Sequence, residues 1–93
     1  MKIGYLELTL SAPWVHSLKE KRMIVRSIIA KSRQKFNISI NEFDALDEHQ
    51  TIKLGITCGS NSTEIIYSTL DQLVNYIETH YETEITWVQK EII

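Results

Sequence analysis

The sequence predicts an α+β sandwich in the order β-α-β-β-α-β, with a four-stranded antiparallel sheet carrying two helices on one face. Three observations predict it. Two long stretches place apolar side chains at helical spacing, while four shorter ones alternate apolar and polar residues as half-buried strands do. The connections are short. Right-handed crossovers then close this order as a ferredoxin-like split βαβ, one domain spanning residues 1–93.

From Met1 to Ser11, Leu6, Leu8 and Leu10 point one way and Ile3, Tyr5, Glu7 and Thr9 the other, which predicts the first strand. Pro13 ends it. Ser17-Leu18-Lys19-Glu20 fits a capping box: the serine hydroxyl accepts from the third helical amide and Glu20 reaches back to the cap. The helix it opens runs to about Lys35, with Leu18, Val25, Ile28, Ile29 and Phe36 on one seam and Val15 packing back on the first turn. Phe36, Ile38 and Ile40 alternate with Asn37, Ser39 and Asn41 as strand two, and Asp44 to Gln50 is a polar hairpin connection. Ile52, Leu54, Ile56 and Cys58 face inward from strand three. Asn61 with Glu64 starts the second helix, where Ile66, Leu70, Leu73 and Ile77 form a single stripe, and Glu84 to Ile92 is strand four.

At 93 residues and 43% hydrophobic, the chain can bury one core between two layers. It has no run of 18 apolar residues, which argues against a membrane partner, and its N-terminus alternates where a signal peptide would be solidly apolar; we expect a cytoplasmic protein. Cys58 stands alone, so there is no internal disulfide, and its strand position predicts a buried, inert thiol. No glycine-rich phosphate loop, cysteine pair or Ser/His/Asp spacing is present. Acylphosphatases, which share this fold, cradle phosphate with a glycine-rich loop and an arginine after strand one; here that loop reads Ala12-Pro13-Trp14-Val15-His16. His49 lies among Asp44, Asp47 and Glu48 without a metal-ligand spacing. These readings predict a non-catalytic protein with no cofactor and no metal.

Charge is the most informative property. Met1 to Phe36 holds eight basic and two acidic residues, a net +6, whereas Asn37 to Ile93 holds two basic and ten acidic, a net −8. On the first helix Lys19, Arg22, Arg26 and Arg33 fall within about 40° of one line, roughly 100° round from the apolar seam. A solvated helix face ordinarily mixes acids among its bases; this one has almost none, so it suits phosphates. Lys21 lies on the seam itself. It either stretches along the sheet edge to a carboxylate, Glu7 or Glu42, or joins Lys19, Arg22 and the helix-start amides in an anion site. His16 is expected to hydrogen-bond within its loop, and His80 to meet the end of the second helix. The nucleic-acid-binding candidates are therefore Lys19, Lys21, Arg22, Arg26 and Arg33.

The sheet face away from the helices, with Ile3, Tyr5, Thr9, Thr51, Lys53 and Thr57, has no cover in this chain. Tyr5, Phe43 and Trp87 invite base stacking, although the parity of the last two is open because strand ends bulge. A homodimer burying this face is the competing expectation, and the one we favour there.

His16-Ser17-Leu18-Lys19 with Lys21-Arg22, Phe36-Asn37-Ile38-Ser39, Glu42 near Asp44, and Ser60-Asn61 resemble the YlxP-like family, small bacterial proteins of unknown function. The resemblance spans nearly the whole chain; its most specific part is His16, Ser17, Leu18, Lys19, Lys21 and Arg22. It implies a ferredoxin-like fold and a gene beside translation-initiation and ribosome-maturation genes, next to a ribosome-binding factor, hence association with the ribosome or its RNA. The expected function is a non-catalytic RNA- or ribosome-associated factor docking through the basic first helix. The alternative is a homodimeric ligand-sensing or scaffold module using the open sheet face.

Overall fold

Alternation in the first strand sorts its side chains between two environments: Leu6, Leu8 and Leu10 are fully buried, while Tyr5, Glu7 and Thr9 are half-exposed. A computed structural model describes all residues 1–93. The elements are β1 (Lys2–Ser11), α1 (Leu18–Lys35), β2 (Ser39–Glu42), β3 (Thr51–Ser60), α2 (Thr63–His80) and β4 (Glu84–Ile92). The sheet is antiparallel throughout, in the order β2-β3-β1-β4, with both helices on one face. This is the ferredoxin-like split βαβ. No helix is long and apolar enough to cross a membrane.

The core lies between the sheet and the helices. Ile52, Leu54, Ile56 and Cys58 of β3 and Ile40 of β2 join the β1 leucines beneath Val25 and Ile28 of α1 and Ile66, Leu70, Leu73 and Ile77 of α2. The stripe expected on the second helix is thus buried in full. On α1 only Val25 and Ile28 of the expected seam are fully withdrawn; Leu18, Ile29 and Phe36 are half-buried, and Lys21 and Ser32 are buried with them.

Both caps are serines. The Ser17 hydroxyl accepts from the Glu20 amide at 3.1 Å, so that half of the expected capping box forms, whereas the Glu20 carboxylate makes no return bond. On α2 the expectation was one residue early: Ser62, not Asn61, is the cap and accepts from the Ile65 amide at 3.3 Å. Ser60 fixes this register by accepting from the Ser62 amide. Strand two is also shorter than its alternation predicts. Phe36 ends α1 in extended conformation and sets its ring edge-on to Tyr76, 6.0 Å between centroids, so pairing with β3 begins only at Ser39.

At Gly4 the side chains of α2 press directly on β1. A Cβ there would collide with Cγ2 of Ile66 and lie 3.3 Å from Leu70 Cδ1. Both side chains are buried in the helix-sheet layer and neither can swing away. Gly4→Ala should therefore destabilise the protein by about 1–3 kcal/mol through overpacking, read as a lower urea midpoint.

Candidate nucleic-acid interface

The outer face of α1 is set by its register. With Val25 and Ile28 driven into the core, Lys19, Arg22, Arg26 and Arg33 line the flank of the helix that overlooks the edge strand β2, and all four are exposed. None is paired with a carboxylate. The two ion pairs in the molecule are Lys21–Glu42 and Lys90–Asp71. Arg33 donates to the Ile40 carbonyl at 3.2 Å, which orients the guanidinium without neutralising it. Lys35, also near the helix end, lies over the Tyr76 ring at 5.3 Å and is turned away from this row. The result is four unneutralised cations on one exposed flank of an otherwise acidic molecule.

Lys21 is not part of that surface. Its side chain is 1% exposed; the ammonium lies 2.9 Å from Glu42 Oε2 and donates to the Ala45 carbonyl at 2.7 Å. Burial and pairing remove it from the phosphate-binding candidates. Glu42 is its carboxylate partner, since Glu7 projects from the opposite face of the sheet. The Glu42 oxygen is close but poorly aligned for a hydrogen bond, so charge holds that contact while the carbonyl takes the directed bond. The bond lands in a strained turn. Asp44 and Ala45 both adopt φ of 48°, a left-handed conformation that costs a non-glycine residue, alanine more than aspartate. Lys21 thus clamps the connection between β2 and β3 to the first turns of α1. Gln50, from the far end of that connection, donates to the Pro13 and Val15 carbonyls at 3.0 and 3.2 Å and ties down the loop that launches α1.

None of the three histidines belongs to this row. His16 is exposed and its ring has no hydrogen-bond partner in the chain, contrary to the local bond expected of it. His80 ends α2, stacked on Tyr76 with Nδ1 2.9 Å from the Tyr76 carbonyl. His49 and its neighbours Asp47 and Glu48 line an open depression of about 370 Å³.

The open sheet face carries Tyr5, as its parity predicts, and also Phe43 and Trp87, whose parity sequence left open. Trp87 sits opposite Thr9 and is 56% exposed; Phe43 folds over Gly55, where the missing side chain leaves room for it, and Tyr5 reaches the same spot. The Tyr5 hydroxyl donates to the Glu7 carboxylate at 2.7 Å. That bond, with burial and the negative charges of Glu7 and Glu91, pushes the phenol up to about 12. The folded state therefore holds this proton more tightly than the unfolded chain, and stability should decline as pH rises from about 10 to about 12. Tyr5 should ionise well above the ordinary range of a phenol in an ultraviolet titration, and Glu7→Gln should bring it back down.

Residues 3–90 match the family described as "Protein of unknown function (DUF503)". The uncharacterized protein YlxP of Bacillus subtilis (strain 168) is 32% identical over 89 residues, which cover 96% of this chain and 97% of that protein. The resemblance carried by the His16–Arg22 segment therefore holds along the chain. Among solved structures, the de novo designed protein LFR1 1, a ferredoxin fold determined by solution NMR, superposes with a TM-score of 0.61 at 16% identity, covering 99% of this chain and 85% of its own. That likeness concerns the fold alone.

Proposed function

We infer that this chain, which belongs to the DUF503 family of proteins of unknown function, is a non-catalytic docking protein that lays the outer flank of α1 against RNA, on or beside the ribosome. The observation that carries the reading is the row Lys19, Arg22, Arg26 and Arg33, exposed and without a single carboxylate partner. An unpaired surface cation gains little within the fold but gains with each phosphate it meets, because condensed counterions are released. The excess of acid from Asn37 to Ile93, net −8, disfavours a polyanion on the rest of the molecule and so helps to orient the contact. The choice of ribosomal RNA among polyanions is supported by the gene neighbourhood that the YlxP-like resemblance implies.

Co-sedimentation with ribosomal subunits, and gel shift with their RNA, test the reading. The variant Lys19→Glu, Arg22→Glu, Arg26→Glu, Arg33→Glu should lose association. The triple variant that keeps Arg33, and so keeps the Ile40 contact, guards against a folding defect. Unchanged association in either folded variant refutes the proposal.

A further inference from the structure

The two edges of the sheet are built differently. At one, β2 is four residues long, α1 packs beside it, and Arg33 covers the Ile40 carbonyl. That carbonyl faces outward because alternate residues turn their backbone groups to alternate sides, and Phe43 turns its amide inward to the Lys53 carbonyl. At the other edge, β4 runs for nine residues with no strand beyond it.

The hydrogen-bonding direction of β4 follows from its end. Ile93 and Ile3 exchange both backbone bonds, at 3.3 and 2.7 Å, so Glu91, Gln89 and Trp87 also turn towards β1, while Ile92, Lys90 and Val88 present their amides and carbonyls outward. Natural edges are guarded by lysine, proline or a bulge. Here Lys90 is drawn back onto Asp71 of α2, β4 contains no proline, and the bulge lies towards one end, at Thr86. Around these open groups Val88 is 45% and Trp87 56% exposed.

We propose that a second copy of this chain pairs its β4 antiparallel to this one across a two-fold axis at Val88. Outward-facing residues must oppose outward-facing residues, which restricts the registers. An axis at Lys90 would oppose two lysine side chains of like charge, each drawn to its own Asp71, and one at Gln89 would set Val88 against Lys90 and Trp87 against Glu91. An axis at Val88 opposes valine to valine and Trp87 to Gln89, with no like charges opposed. The segment is thus its own complement, as a two-fold interface requires. The edge also suits a second copy better than the open sheet face does: there Tyr5 is already tied to Glu7, and Phe43 already rests on Gly55. The product is an eight-stranded sheet with the two α1 flanks at opposite ends, roughly 30 Å apart at strand spacing, both unobstructed.

Sedimentation velocity on the full chain, over a dilution series from millimolar to submicromolar, tests the proposal. The chain should form a dimer that dissociates on dilution. Val88→Pro removes an amide that serves no bond within the chain, and it removes it twice per dimer; association should weaken by about 10- to 100-fold. Phe43→Ser, on the open face, should leave the dimer unchanged. Because proline can disturb folding, hydrogen exchange on the unaltered chain gives a second readout: the Val88 and Lys90 amides should gain protection as concentration rises. A monomer at every concentration, a dimer that a folded Val88→Pro variant retains or that Phe43→Ser abolishes, or amides indifferent to concentration would each overturn it. RNA association by a monomeric Val88→Pro variant remains measurable, so this result and that of the α1 variants are separable.

Discussion

Lys21→Ala should destabilise the protein by about 3–5 kcal/mol, the range for breaking one side of a buried ion pair. The substitution does three things together. It strands the Glu42 carboxylate, whose side chain is 17% exposed; it leaves the Ala45 carbonyl without its donor; and it empties the volume of the lysine stem between α1 and the sheet. The loss compares with a total stability of about 5–15 kcal/mol for a domain, so the variant would sit near the edge of folding. Replacing the pair differs from breaking it. Lys21→Met with Glu42→Leu removes both charges and keeps the volume, and should recover most of the loss. Urea unfolding of the three proteins checks this, and a single-variant loss under about 1 kcal/mol would show that Glu42 finds water or another donor. If α1 meets RNA as proposed, the double variant should bind it as tightly as the unaltered chain, because Lys21 lies beneath the exposed flank.

The second large effect is on salt. If Lys19, Arg22, Arg26 and Arg33 each neutralise one phosphate, the logarithm of the association constant should fall with that of salt at a slope of about −3 for single strands and about −3.5 for duplex. Between 50 and 200 mM salt this amounts to a loss of roughly 50- to 150-fold. Removing one cation, as in Arg26→Ala, should reduce the slope by just under one and weaken binding of all sequences alike. Titrations at several salt concentrations measure both. A slope near zero would mean that the helix does not meet phosphates. A slope unaltered by Arg26→Ala would move the contact off this flank.

Much of the fold was legible because its signals are local and redundant. The α2 stripe from Ile66 to Ile77 and the β1 leucines state their own periods, and a buried face tolerates no slip in either. Boundaries were less legible. Asn61 and Ser62 are both good caps, and only the Ser60 hydroxyl, holding the Ser62 amide, separates them. Phe36 continues the alternation of a strand, yet its ring goes to Tyr76, forty residues away in sequence. The Thr86 bulge, which settles how β4 meets β1, has no signature in composition. Of the candidate site, Lys19, Arg22, Arg26 and Arg33 could be placed on one line from helical geometry alone. Lys21 could be flagged as out of place, though its partner could not be chosen.

The sequence by itself determined the order of elements, the core, and the imbalance of charge between the first helix and the rest, because periodicity and net charge are properties of the chain before it folds. Only the tertiary structure decided which cations remain free. Pairing depends on what the sheet brings beside each side chain: the β2–β3 connection closes over Lys21, α2 claims Lys90, and the flank facing the β2 edge receives no acid at all.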